Sequence, residues 1–140
     1  MMVFFFLLNI MNITDIYSLF SKESKVITDS RLICSGGIFF ALKGESFDGN
    51  LFAKQALENG CSYAIIDDSS IGNDSRFILV DNVLVTLQKL ARYHRDQFDI
   101  PVIGITGTNG KTTTKELINA VLSKKYNPAY TKGNFNDHVS

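Results

Sequence analysis

"VIGITGTNGKTTTKELI", residues 102–118, sets an apolar β-branched segment, a glycine-bracketed loop and the start of an amphipathic helix in series. That order predicts a strand over "PVIGIT" (residues 101–106), a turn, and a helix over "KTTTKELINAVLSKKY" (111–126), with Leu117, Ile118, Val121 and Leu122 as its buried side. Glycines let backbone N–H groups approach an anion closely, and a helix start adds unpaired N–H donors and a positive dipole end. Lys111 supplies a mobile positive charge, and Thr112 a hydroxyl able to ligate Mg²⁺. The stretch therefore reads as a phosphate cradle. The general pattern G-x-x-x-x-G-K-[ST] would put its first glycine at position 105, which is Ile105. The glycines are instead Gly104, Gly107 and Gly110. A strand-to-helix turn that merely precedes a lysine is the competing interpretation.

Upstream, helices and strands alternate, which fits a small α/β domain. A helix capped by Asn12 or Thr14 carries Ile13, Ile16, Tyr17 and Phe20 at helical spacing. Strands follow over "KVITDSR" and "GGIFFAL", the second with an apolar run that suggests burial on both faces. "NLFAKQALENG" reads as a helix, begun by Asn50, lined inward by Phe52, Ala56 and Leu57, and stopped by Gly60. "SYAIID" and "RFILV" are two more strands. "DNVLVTLQKLARYHRDQF" is the longest helix, with Val83, Leu84, Leu87, Leu90 and Ala91 facing in. "FDIP" ends it, because the residue before proline disfavours helical backbone. A domain boundary is placed near Asp99, with residues 11–98 as one α/β domain and 99–140 as the start of another. One strand and one helix cannot cover both faces of a sheet, so 99–140 are expected to pack poorly by themselves.

Composition removes several classes of function. Lysine plus arginine equal aspartate plus glutamate at 14 each, which argues against a broad electrostatic grip on nucleic acid. The apolar start "MMVFFFLLNI" is too short to span a bilayer, which takes about 20 residues. It also lacks the basic flank and cleavage site of a secretory signal. Residues 1–10 are expected to be an upstream extension before a second start at Met11, with a short extra strand or an apolar tail as alternatives. Cys34 and Cys61 have no metal-ligand spacing and are expected to be reduced, buried thiols. His94 is expected on a solvated or half-buried helix position, and "RYHRDQ" as a solvated face.

"GITGTNGKTTT" resembles the ATP-binding loop of the Mur ligases, whose form departs from the general phosphate-loop pattern in the same way. "DSRLICSGGIFFALKGESFDGNLFAKQALENGCSYAIID" is similar to the UDP-sugar-binding domain of that family. The resemblance implies a small N-terminal nucleotide-sugar-binding α/β domain, followed by the first strand–P-loop–helix of a central ATPase domain. It implies a cytoplasmic, monomeric, ATP- and Mg²⁺-dependent amide ligase of peptidoglycan precursor synthesis, which activates a carboxylate as an acyl phosphate. "YTKGNFNDHVS" resembles the member that joins D-alanyl-D-alanine to UDP-N-acetylmuramoyl-tripeptide. A third-residue ligase of the family and a non-catalytic nucleotide-sugar-binding module are the alternatives.

By the same resemblance, ATP is held by Gly107, Thr108, Asn109, Gly110, Lys111, Thr112 and Thr113, with Lys111 as the catalytic group and Thr112 as the metal ligand. The substrate is held by Ser30, Arg31, Lys43, Asp48, Gly49, Asn134 and Asn136. Arg31 suits a pyrophosphate as a planar fork. Ser30 and Asp29 can bond a sugar, a base edge or the local backbone. Lys43 and Gly44 follow a buried strand, where α/β sheets tend to carry ligands. Asp29 and Asp48 also suit turn caps, Gly36 and Gly37 turn formation, and Phe39, Phe40 and Phe47 the core. Asp137 and Ser140 stand where the family has asparagine and glycine. The resemblance runs from Met11 to about His138 and covers much less than half of a ligase. The 140 residues are therefore expected to be an incomplete, inactive fragment.

Overall fold

Ile38, Phe39 and Phe40 are successive strand residues, and each is at most 1% exposed in the computed structural model. Successive strand side chains point to opposite faces, so this strand is covered on both. The structure describes residues 11–23, 25–32 and 36–131. Residues 1–10, Cys34, Asn134, Asn136, Asp137, His138 and Ser140 lie outside them.

The chain divides into two units, one ending at Phe98 and the other beginning at Asp99. The first unit opens with α1 (Ile13–Glu23), capped by Asn12, whose Oδ1 accepts the Asp15 N–H at 3.0 Å. There follow β1 (Val26–Ile27), β2 (Ile38–Phe40), a 3₁₀ turn (Gly49–Phe52), α2 (Ala53–Glu58), β3 (Tyr63–Ile66), β4 (Phe77–Leu79) and α3 (Val83–Asp96). The four strands lie in the order β1-β2-β3-β4, all parallel. Ile38 stands opposite both Val26 and Tyr63, and Phe40 opposite Ile65. The continuous apolar runs reflect that arrangement, since a parallel sheet is flanked by its own crossovers.

α2 packs on β2 and β3, while α3 packs on β2 and on α1. The core comprises the β2 triplet, Ala64, Ile65 and Ile66 of β3, Ile16 of α1, Ala53, Ala56 and Leu57 of α2, and Val83 and Leu90 of α3. Each large side chain buried this way contributes about 1.5–3 kcal/mol relative to exposure. Along α3 the inward stripe is narrower than the sequence predicts. Val83, Leu87 and Leu90 turn inward, whereas Leu84 is 38% exposed and Ala91 is exposed. Residue 84 lies about 100° around the helix from residue 83, off the face that Val83, Leu87 and Leu90 turn to the core.

Near its end α3 joins α1 through an aromatic cluster rather than a solvated face. Tyr17 and Tyr93 meet edge to face at 4.9 Å, and the half-buried His94 ring lies 5.1 Å from Phe20 and 5.0 Å from Phe98. The Tyr17 hydroxyl is 3.3 Å from His94 Nδ1. Cys61 is buried.

In the second unit, α4 spans Lys111–Leu122. Two expectations change here. "PVIGIT" forms no strand, because among the described residues no other segment pairs with it, and a strand exists only through its ladder. α4 buries none of its residues: Leu117 and Val121 are 63% and 70% exposed, and Ile118 and Leu122 are half-buried. Ile100, Val102 and Ile103 are exposed as well, so the apolar side chains of this unit have found no sheet to cover.

Candidate functional sites: a cavity at the strand ends and a glycine loop

In the first unit, an open cavity of about 470 Å³ lies beside β2, with the Thr28-to-Arg31 turn as one wall and Phe39, Phe47, Gly49 and Phe52 as the other. That size suits a nucleotide-sized ligand. Phe39 backs the cavity from the core, whereas Phe47 and Phe52 are 55% and 42% exposed. The sequence reading places Phe47 in the core and Phe52 on an inward helix face. The 3₁₀ turn ahead of α2 instead swings Phe52 outward, and Phe47 sits on a loop that leaves the strand.

Ser30 is buried at 7%, donating Oγ–H to Gln55 Oε1 at 3.3 Å, while its carbonyl accepts the Asn59 side-chain amide at 2.8 Å. α2 and the residue after it therefore hold this turn from behind. Arg31 is 83% exposed and forks onto Asp29, Nε to Oδ1 at 2.9 Å and Nη2 to Oδ2 at 2.7 Å. Asp29 Oδ1 also accepts the Arg31 backbone N–H at 3.0 Å. The fork occupies two of the five guanidinium donors, so an anion reaching Arg31 shares it with Asp29.

The side-chain hydrogen bonds from Arg31, then its backbone N–H, bring the Asp29 carboxyl from 3.8 down to about 2. A lowered carboxyl pKa contributes stability that is present above the ordinary value and is lost as pH falls through about 2. Arg31→Gln is expected to return the Asp29 titration midpoint toward 3.8, as followed by carboxyl-carbon NMR. A midpoint that stays near 2 in the variant would remove the Arg31 guanidinium as the main cause, since the residue 31 backbone N–H is retained.

Lys43 and Asp48 do not line the cavity. They face each other across a two-residue antiparallel bridge at the base of the loop that carries Phe47. Lys43 Nζ lies 2.8 Å from Asp67 Oδ1 and 4.0 Å from Asp48 Oδ2. Asp48 caps the 3₁₀ turn, accepting the Asn50 N–H at 2.9 Å. Gly49 fits under the loop because it has no side chain: its N–H donates to the Leu42 carbonyl at 2.9 Å, and a Cβ would stand 2.4 Å from that oxygen. Ser30, Arg31 and Gly49 thus come together on one cavity, and Lys43 and Asp48 stand behind it.

Asp67, Asn50, Gln55 and Asn59 are absent from the residues singled out as site groups in the sequence. Asp67 had a usable signal, since it directly follows the apolar run of β3, at the same end of the sheet as Lys43. The contacts of Gln55 and Asn59 with Ser30, and of Asn50 with Asp67, are tertiary and leave no local trace.

In the second unit, Gly110 is the N-cap of α4 in the left-handed region at φ +76°, which glycine adopts without a Cβ penalty. Having no side chain, it offers no capping acceptor to the first-turn N–H groups of a 12-residue helix. Nothing lies within 4 Å of where a Cβ of Gly110 would point. The Lys111 ammonium donates to the Gly107 carbonyl, folding the side chain back over the loop. This geometry fits a phosphate group: open space, aligned N–H donors and a local cation. For Mg²⁺ the chain offers less. Thr112 supplies one hydroxyl oxygen, and no group of three or more His, Cys, Asp or Glu among the described residues could hold a metal. That suits one ligand to an ion whose other oxygens come from a nucleotide and water.

Residues 24–95 match the family model of the Mur ligase catalytic domain, and residues 105–140 that of the Mur ligase middle domain. The chain is 45% identical over 117 residues to the UDP-N-acetylmuramoyl-tripeptide–D-alanyl-D-alanine ligase of Bacillus subtilis (strain 168), covering 81% of this chain and 25% of that one. It is 39% identical over 108 residues to the UDP-N-acetylmuramoyl-L-alanyl-D-glutamate–2,6-diaminopimelate ligase of Geobacter sulfurreducens, covering 75% and 21%. Among solved structures it is similar to the MurF ligase of Thermotoga maritima in complex with ADP, with a TM-score of 0.73 and 38% identity over 80% of this chain and 26% of that one. It spans about a quarter of the length of the first of these relatives. The chain, with its parallel α/β sheet and its glycine loop at a helix start, belongs to the Mur ligase family.

Proposed function

We propose that this chain is the nucleotide-sugar arm and phosphate loop of an ATP-dependent amide ligase of peptidoglycan precursor synthesis, which joins D-alanyl-D-alanine to UDP-N-acetylmuramoyl-tripeptide. The observation that carries this is the open start of α4, with Lys111 over the Gly107 carbonyl, in a chain 45% identical to such a ligase. ATP would supply the phosphoryl group that converts the tripeptide carboxylate into an acyl phosphate, which the D-alanyl-D-alanine amine then opens with loss of phosphate.

Each residue's part follows from its place. Backbone N–H groups from Gly107 to Thr113, including those of Thr108 and Asn109, cup the terminal phosphates. Lys111 exchanges its carbonyl partner for phosphate oxygens and neutralises charge as it develops. Thr112 would offer one hydroxyl oxygen to a Mg²⁺ carried by the nucleotide, which would supply charge neutralisation at the phosphates. In the first unit, Ser30, Arg31 and Gly49 face the nucleotide sugar, while Phe47 and Phe52 offer it apolar area. Lys43 and Asp48 hold the loop that carries Phe47. No helix among the described residues is long and apolar enough to cross a membrane.

Titration calorimetry with UDP-N-acetylmuramoyl-tripeptide, run beside a phosphate-release assay, tests this. The 140 residues are expected to bind the tripeptide nucleotide without ATP-dependent turnover. Absence of binding would remove the nucleotide-sugar assignment, and turnover would overturn the view that these residues are insufficient alone. The 39% identity to the Geobacter sulfurreducens ligase supports a second reading, a third-residue ligase. Tighter binding of UDP-N-acetylmuramoyl-dipeptide than of the tripeptide form would favour it.

A further inference from the structure

Asp67 follows β3 and points into the base of the cavity loop, with its side chain 10% exposed. Every partner of its carboxylate is a donor. Lys43 Nζ and Asn50 Nδ2 each reach Oδ1 at 2.8 Å, and the Val83 N–H at the start of α3 reaches Oδ2 at 3.4 Å. Its own N–H donates to Asn50 Oδ1 at 3.1 Å. Asn50 is 1% exposed, and its amide also donates to Asp48 Oδ1 at 2.8 Å. Asp67 thus ties together the exit of β2, the Asp48–Asn50 turn and the start of α3. Burial raises its carboxyl pKa, but the Lys43, Asn50 and Val83 hydrogen bonds outweigh that and hold the group below 3.8, ionised.

The loop so anchored carries one wall of the cavity. The Gly44 N–H donates to the Phe47 carbonyl at 3.0 Å, and the Phe47 ring lies over Gly44. The Gly49 N–H donates to Leu42. These two bonds set where Phe47 and Gly49 stand in the cavity, and neither involves Asp67 directly.

We propose that Asp67 is a positioning residue of the ligand cavity: through Lys43 and Asn50 it holds the residue 43–49 loop, and with it the Phe47–Gly49 wall, in the binding geometry. This goes beyond the proposed function and rests on it only for the identity of the ligand. Asp67 does not line the cavity, so its effect on binding is indirect.

Asp67→Asn is the informative variant because it is isosteric. Whichever way the amide turns, it presents a donor to a donor: Lys43 and Asn50 on one side, Val83 N–H on the other. Amide hydrogen exchange on the ligand-free 140-residue chain reads the loop. The Gly44 and Gly49 amides are expected to exchange about tenfold faster in the variant. The Ala41 amide, bonded to the Ile65 carbonyl across the sheet at 3.0 Å, is expected to keep its rate. A merely structural role would speed all three amides together, and that outcome, or unchanged rates at Gly44 and Gly49, overturns the proposal. Lys43→Met supplies a second variant with the same expected pattern, should Asp67→Asn fail to fold.

Titration with UDP-N-acetylmuramoyl-tripeptide is expected to show about tenfold weaker binding in Asp67→Asn. Equal affinities in variant and parent would overturn the positioning role. If the parent chain itself does not bind, the proposed function falls, and the exchange pattern still decides what Asp67 does.

Discussion

Lys111→Ala is expected to lower ATP-dependent ligation by about 10²–10³-fold. The assay would use a chimera with this chain as its first 140 residues and the Bacillus subtilis relative as the remainder. The two share 45% identity over 117 residues, and residues 105–140 match the Mur ligase middle domain, so the junction falls within a segment of the family. A phosphoryl group in transfer spreads charge over its oxygens, and a preorganised cation there stabilises the transition state more than the bound ground state. The loss should therefore fall mainly on kcat, with a smaller rise in the KM for ATP. Lys111→Arg should recover part of the rate, because its charge is delocalised over a planar group that matches a point-charge site poorly. A chimera whose Lys111→Ala form keeps its rate within about twofold would defeat the assignment of this loop to the transferred phosphate.

Gly49→Ala is expected to destabilise the first unit by about 2–3 kcal/mol. Its Cβ would stand 2.4 Å from the Leu42 carbonyl oxygen, 2.6 Å from the Ala41 carbonyl carbon and 2.8 Å from the Leu42 nitrogen. All three are backbone atoms at the exit of a fully buried strand, so none can rotate aside. On the scale of a domain this size, the melting midpoint should drop by about 10–20 °C. Gly44→Ala makes a contact just as short, 2.3 Å from Phe47 Cε1, but with the edge of an exposed ring that can swing away. It should cost less stability, about 1 kcal/mol, while displacing a cavity wall. Calorimetric melts of both variants check the ranking. A Gly49→Ala midpoint within about 2 °C of the parent would mean that the loop does not sit on Leu42 as described.

Much of the fold was legible in the residues. The apolar triplet Ile38–Phe40 announces a strand covered on both faces, and it is one. Asn12 before Ile13, Ile16, Tyr17 and Phe20 announces the capped start of α1. The glycine loop ahead of Lys111 announces a helix start, and α4 begins at Lys111. These inferences succeeded because each depends on chemistry within a few positions of the chain. Where burial depended on partners, periodicity overreached. Leu117 and Val121 repeat at helical spacing, yet both are exposed, because the described part of the second unit contains no sheet for α4 to cover. "PVIGIT" has the composition of a strand but lacks a neighbour to complete its ladder.

The site divides the same way. From sequence alone come the loop of glycines with Lys111 and Thr112, the Asp-Ser-Arg turn and the Asp48–Gly49 turn, since hydrogen-bonding capacity and the lack of a Cβ belong to a residue wherever it folds; that position 49 has no room for a Cβ beside Leu42 is tertiary. Tertiary structure alone decided that Arg31 is shared with Asp29, that Lys43 turns from the cavity to Asp67, and that Phe47 and Phe52 stand exposed on its wall. Those outcomes hinge on which donors and acceptors the parallel sheet brings within about 3 Å of one another, a distance that residue order does not encode for groups 24 positions apart such as Lys43 and Asp67.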